Sequence, residues 1–162
     1  MKRIASFAIC ALLIFGGIGS ASAGPLEDAA AAYLRKDYAT ALRLLRPLAE
    51  EGNESAQHIL GVIYGQGQGV PQDYVEAVKW YRKAAEQGNA TAQLNLGANY
   101  AQGLGVPQDY VRAHMWFNLA AINGDEKAVK NRELAASMMA PEQIAEAQKL
   151  AREWKPKKQA AE

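Results

Sequence analysis

The chain has 162 residues, 49% hydrophobic and 22% charged, a composition that buries a core and excludes wholesale disorder. Lysine and arginine total 18 against 17 acidic residues, so no basic excess exists to hold a polyanion and a dedicated nucleic-acid binder is disfavoured. Two histidines and one cysteine are too few for most metal clusters, whereas 32 alanines favour helices that pack closely.

Residues 1–23 read as a secretory signal peptide. Lys2 and Arg3 precede an uncharged, mostly apolar run from Ile4 to Ile18, and Ala21 and Ala23 provide the small-x-small pattern of a cleavage site. The run is short for a membrane span, which takes about 20 apolar residues. Cys10 is a poor lipid acceptor, because bulky Ile9 precedes it. Cleavage after Ala23 would leave a chain starting at Gly24, without cysteine and hence without disulfides. The expected location is the periplasm or outside the cell, with no stable membrane insertion once the signal is removed.

The remainder of the chain is a repeat. Aligning the chain with itself at an offset of 36 places residues 52–87 on 88–123, with 20 of 36 positions identical and no gap. A fixed period of this size predicts an all-α solenoid of stacked antiparallel helix pairs. The expected units are a degenerate first pair at 24–51, full repeats at 52–87 and 88–123, and a degenerate final repeat with a capping helix at 124–155. Residues 156–162 are expected to form a disordered tail.

Within each unit the residue types assign the elements. Gly52, Gly88 and Gly124 suit the left-handed position that ends a helix, and Asn53, Asn89 and Asp125 follow as N-caps. The first helix of each pair, A, shows Ala56, Leu60, Gly61 and Tyr64, then Ala92, Leu96, Gly97 and Tyr100. Glycine inside a helix costs about 1 kcal/mol relative to alanine, so Gly61 and Gly97 predict a close approach by the partner helix. Glycine-rich links containing Pro71 and Pro107 lead to the second helix, B, which Asp73 and Asp109 cap. Asp73 and Glu76 have the spacing of a capping box. Helix B alternates large and small groups: Tyr74, Ala77, Trp80, Tyr81 and Ala84, then Tyr110, Ala113, Trp116, Phe117 and Ala120.

The ends diverge from this pattern. In the first unit Tyr38, Ala41, Leu44 and Leu48 stand where Tyr74, Ala77, Trp80 and Ala84 stand later, and Pro47 is expected to kink helix B or end it early. In the last unit Arg132, Glu133 and Ala136 replace the leucine, glycine and tyrosine. Pro141 opens a closing helix whose Ile144, Ala147, Leu150, Ala151 and Trp154 are expected to cover the open end of the stack.

These motifs resemble the Sel1-like repeat family, relatives of the tetratricopeptide repeat. The matching residues are A-x-x-x-L-G-x-x-Y at 56–64 and 92–100, G-x-G-V-P-Q-D-Y at 67–74 and 103–110, and A-x-x-W-Y/F-x-x-A-A at 77–85 and 113–121. The resemblance implies a non-catalytic scaffold for protein interaction, exported in this type of member, with no cofactor. Penicillin binding, proposed for disulfide-stapled relatives, transfers poorly to a chain without mature cysteines.

No catalytic constellation emerges from the residues. The glycine-rich links lack the lysine and the strand of a phosphate loop. Val62 and Asn118 follow His58 and His114 at i+4, so neither histidine starts a helix-borne metal pair, and both read as surface or groove residues. The tryptophans and tyrosines of helix B read as core rather than as a base-stacking ladder. Function then falls to the concave face lined by A helices. Offsets from the core stripe place Ile59, Ile63 and Gln66 there, with Asn95, Asn99 and Gln102 as equivalents and Asn131 continuing the row. Amides beside an apolar patch suit the backbone of an extended peptide. A cell-wall enzyme and a purely structural envelope protein are the competing classes.

Overall fold

A computed structural model of the protein describes residues 24–157. The signal segment 1–23 and residues 158–162 of the expected tail lie outside the described residues. Helix α1 spans Pro25–Leu34, α2 Tyr38–Glu50, α3 Glu54–Gln66, α4 Tyr74–Gln87, α5 Ala90–Gln102 and α6 Tyr110–Ala120. A 3-10 turn at Ala121–Asn123 precedes α7, Glu126–Ser137, and α8, Pro141–Glu153. There is no strand among the described residues. Each helix from α1 to α7 packs on the next, giving stacked helix pairs.

The caps form where the repeat puts them. Gly52, Gly88 and Gly124 take φ of 97°, 105° and 83°, a conformation in which a Cβ is strained. The side chains of Asn53, Asn89 and Asp125 accept hydrogen bonds from the Ala56, Ala92 and Ala128 N–H groups at 2.9, 2.9 and 3.0 Å. Asp73 caps α4 by accepting from the Val75 and Glu76 N–H groups. The reciprocal half of the capping box does not form. The Asp73 N–H donates instead to the Tyr64 carbonyl at 2.9 Å, and the Glu76 carboxylate pairs with Lys79 at 3.0 Å.

The links are turns stitched by glutamine. Gln72 Nε2 donates to the Gly65 carbonyl at 2.8 Å, and Gln108 Nε2 donates to the Ala101 carbonyl at 2.8 Å. Two buried glutamines join each A helix to the B helix before it. Gln57 Nε2 donates to the Ala49 carbonyl at 2.9 Å, and Gln93 Nε2 to the Ala85 carbonyl at 3.2 Å. Each adds a second donor to a carbonyl at a helix C-terminus that already accepts from the Gly52 or Gly88 N–H, at 3.1 and 3.0 Å.

The core is built of aromatic rings set against glycine and alanine. A Cβ on Gly61 would stand 2.5 Å from ring carbons of Tyr81, and one on Gly97 would stand 2.7 Å from ring carbons of Phe117. The two mid-helix glycines are therefore the sockets for those rings. Trp80 is buried in a cluster with Ala41, Leu45, Leu60 and Ile63 of the first two units, while Trp116, Phe117 and Leu96 belong to a second cluster. In the first unit Leu45 and Ala49 are sealed and Leu44 and Leu48 are half-buried, one position on from the expected pair. Pro47 does not end α2, which continues to Glu50.

The largest departure is α8. It does not pair with α7 as the other B helices pair with their A helices; it lies across α6. Trp154 meets Trp116 edge-on at 6.2 Å, and Ala147 and Ala151 are buried beneath the helix. The closing helix thus caps the stack from its outer side and leaves the free face of α7 uncovered. The tail continues in the same direction. The Lys157 N–H donates to the Glu86 carbonyl at 2.7 Å, and Lys157 Nζ to Glu86 Oε2 at 2.8 Å. The start of the tail is therefore docked on α4, where disorder was expected.

Candidate functional site

The A helices of successive units touch, α3 on α5 and α5 on α7, and their facing surfaces form a strip. Of the seven residues the sequence places there, Ile59, Asn95 and Asn131 are half-buried and Gln66 and Gln102 are exposed. Ile63 and Asn99 are not available. Ile63 is fully buried in the core beside Trp80. Asn99 is buried, and its Nδ2 donates to the Asn95 carbonyl at 2.8 Å.

The cause is a register error of one residue. At about 100° per residue, Ile63 lies only about 20° around α3 from the core residue Ala56, whereas Val62 lies about 120° away. Val62 and its equivalent Ala98 are half-exposed and take the middle of the strip. The rows therefore run Ile59, Val62 and Gln66 on α3; Asn95, Ala98 and Gln102 on α5; and Asn131, Leu134 and Met138 on α7. The core stripe held this information, because the angle of each candidate from Ala56 separates Val62 from Ile63.

Asn95 Nδ2 lies 3.2 Å from His58 Nε2, joining α3 to α5. That contact suits a neutral ring, and burial holds the His58 pKa below the usual imidazole value. His114 belongs to neither surface nor groove. It is 3% exposed on α6, its Nδ1 has no partner, and burial, reinforced by Arg132, lowers its pKa.

Between α5, α6 and α7 the strip deepens into a cleft of about 280 Å³. Ala98, Phe117, Leu134 and Met138 line it, with Gln102 and Asn131 among its polar groups. Leu134 is 66% and Met138 60% exposed, as their positions are in the earlier units, where Ala98 is half-exposed and Gln102 exposed. The structure thus brings Gln102 and Asn131 together and adds Leu134 and Met138, which the sequence pattern does not mark. The cleft offers apolar surface and amides, which bind by shape and hydrogen bonding. Among the described residues no three His, Cys, Asp or Glu side chains are grouped as metal ligands, and no helix is long and apolar enough to cross a membrane.

Stacked helix pairs with a 36-residue period and glutamine-stitched links define an α-solenoid of short repeats. The Sel1 repeat matches this chain three times, at residues 29–53, 54–89 and 90–125; together these cover more than half of it, and the chain belongs to the Sel1 repeat family. The match extends further toward the N-terminus than the motifs legible by eye. Among solved structures, the chain is similar to c5321, described as a protective antigen present in uropathogenic Escherichia coli strains and displaying an SLR fold. The identity is 34% and the TM-score 0.76, over 80% of this chain and 29% of that one. It is also similar to a Sel1 repeat protein from Oxalobacter formigenes, at 30% identity and a TM-score of 0.66, over 80% of this chain and 56% of that one. The chain thus spans under a third of the first and just over half of the second. Comparison with curated proteins found no match. Sel1 repeat proteins generally mediate protein–protein interaction and form a generally non-catalytic scaffold family.

Proposed function

We propose that the chain is an exported, non-catalytic scaffold, acting in the periplasm or outside the cell, that captures another protein by laying an extended segment of it along the inner strip. The observation that carries this reading is the cleft between α5, α6 and α7, where Leu134 and Met138 stay exposed beside two amides. An apolar side chain of the partner enters the cleft, and Gln102 and Asn131 bond its backbone. One turn further along, the rows end in Ser55, Thr91 and Lys127, and none of the three rows carries a carboxylate. The Lys127 ammonium makes no ion pair among the described residues, which favours an acidic residue in the partner. Seven residues of helix separate Lys127 from Leu134, a rise of about 10 Å, so the acidic residue stands about three extended residues from the apolar anchor. Export is supported by the basic, apolar and small-residue order of 1–23 and by the likeness to a protein described as a protective antigen.

Selection from a displayed random-peptide library tests the capture. The full chain should enrich peptides that pair a bulky apolar residue with an acidic one at that separation, and the Leu134→Asp, Met138→Asp double variant should enrich none. Equal enrichment by a folded double variant refutes the reading. Mass measurement of the exported chain tests the rest: a product beginning at Gly24 is expected, and a full-length chain confined to the cytosol refutes export.

A further inference from the structure

The outer face carries a second cleft, of about 360 Å³, where α4, α5, α6 and α8 meet. Arg82 Nη2 donates to the Tyr100 hydroxyl there at 3.0 Å. The Arg112 guanidinium lies 5.6 Å from the centroid of the same ring. Met115, Trp116 and Leu150 add apolar lining. Arg82 has no carboxylate partner among the described residues, and Arg112 meets Asp109 through Nε alone, at 3.4 Å. Glu86 also borders the cleft, but Lys157 holds its carboxylate at 2.8 Å.

The preceding repeat unit is an internal control. Thirty-six residues earlier, Arg46 Nη2 donates to the Tyr64 hydroxyl at 2.7 Å, the same rung as Arg82 on Tyr100. The counterparts of Arg112 and Met115 are Glu76 and Lys79, which pair with each other at 3.0 Å. The copy that carries the cleft has exchanged a carboxylate for a guanidinium and an ammonium for a thioether. It has also gained Leu150 from α8, an element with no equivalent in the earlier unit. Positive charge and apolar surface were added together on an unchanged rung.

We propose that this outer cleft binds a small apolar carboxylate, with the carboxylate on Arg82 and Arg112 and the hydrocarbon on Met115, Trp116 and Leu150. Guanidinium forks match carboxylate oxygens in pairs. Three cations, Arg82, Arg112 and Lys157, stand against two anions, Asp109 and Glu86, which suits a ligand with one negative charge. The volume is that of a small-molecule site. The cleft shares no lining residue with the one on the inner strip.

Calorimetric titration of the full chain with phenylpropionate, its neutral isostere phenylpropionamide and acetate tests the proposal, together with the indole N–H resonances of the three tryptophans. Phenylpropionate should bind and move the Trp116 resonance while Trp80 stays in place. The amide lacks the charge and acetate lacks the ring, and each should bind at least about tenfold more weakly. Arg112→Glu installs the residue of the earlier copy at an exposed position and should abolish binding. Arg112→Gln, the milder variant, should weaken it about tenfold. The proposal is overturned if the amide or acetate binds as tightly as phenylpropionate, if binding leaves Trp116 unmoved, or if either Arg112 variant with a native melt keeps full affinity.

Discussion

Two glycines one turn apart on α3 allow the ring-socket packing to be isolated. A Cβ at Gly61 would meet the Tyr81 ring carbons at 2.5 Å, whereas one at Gly65 would find only the Ala77 Cβ and the Tyr81 hydroxyl, both at 3.5 Å. Neither glycine has a positive φ, so alanine at either site gains the same helix propensity of about 1 kcal/mol. At Gly65 that gain stands alone, and the second copy already carries Ala101 there. At Gly61 it is opposed by overpacking, which costs about 1–3 kcal/mol. The propensity cancels in the comparison, so the stability gap between Gly65→Ala and Gly61→Ala reads the overlap directly. Urea melts followed by circular dichroism should show Gly65→Ala above the parent and Gly61→Ala below Gly65→Ala by about 1–3 kcal/mol. Gly97→Ala should repeat the loss against Phe117, and a Phe117→Leu background should shrink it. Equal shifts for Gly61→Ala and Gly65→Ala would refute the socket argument.

The remaining predictions concern the core and its titration. Trp80→Ala and Trp116→Ala should each cost about 3–5 kcal/mol in a melt, and a loss under roughly 1 kcal/mol for either would place that ring outside the core. His114 is buried neutral and its folded pKa lies below the ordinary value of 6.5; the unfolded chain therefore takes up the proton first. Stability should be fully present above about pH 6.5 and decline as the pH falls through the folded value. His114→Val, the residue type of Val78 in the earlier copy, should reduce that decline and leave the share of His58, whose pKa burial also lowers, and an unchanged pH profile would exclude His114 as a source. Gln57→Leu and Gln93→Leu each remove a buried side-chain bond between successive units, while the Ala49 and Ala85 carbonyls keep the Gly52 and Gly88 N–H groups at 3.1 and 3.0 Å; each should cost about 0.5–1.5 kcal/mol in a melt, and neutral variants would mean that the glutamine bonds add nothing to the stack.

What the sequence discloses is what the repeat states twice. Gly52 and Gly88, Asn53 and Asn89, and Gly61 and Gly97 each have a twin 36 residues away, and every paired feature folds as its twin does. Features stated once are harder to read. Lone His114 looks like a surface residue until it is set on Val78, which is buried. The inner strip is misplaced by one position in the sequence because Ile63 and Val62 both satisfy helical spacing from Ile59, and only their angle from Ala56 separates core from solvent. Leu134 and Met138 fall 36 residues after Ala98 and Gln102 and share their exposure, but a leucine and a methionine in a unit that has lost the motif carry no polar sign of it. The path of α8 has no precedent in the chain.

That path decides which surfaces are free. A B helix in the fourth unit would have lain on α7, but Arg132, Glu133 and Ala136 leave α7 without the leucine, glycine and tyrosine that receive one. Arg132 Nη1 turns to Asn118 Oδ1 of α6 at 2.9 Å instead, so the arginine now comes from the A helix and the acceptor from the B helix. Meanwhile Trp116 offers an aromatic edge on the outer layer, and Trp154 takes it. The closing helix is therefore held by α6, and the two clefts depend on it differently: the outer one uses Leu150 of α8, and the inner one uses no residue of α8. Trp154→Ala truncates a half-buried ring and removes an aromatic pair, so it should cost about 2 kcal/mol, roughly half the loss at a fully buried ring. Folded Trp154→Ala protein should bind phenylpropionate more weakly while enriching the same displayed peptides as the parent. Loss of peptide enrichment in that variant would show that α8 supports the inner face after all, and the division of the stack into two independent surfaces would fail.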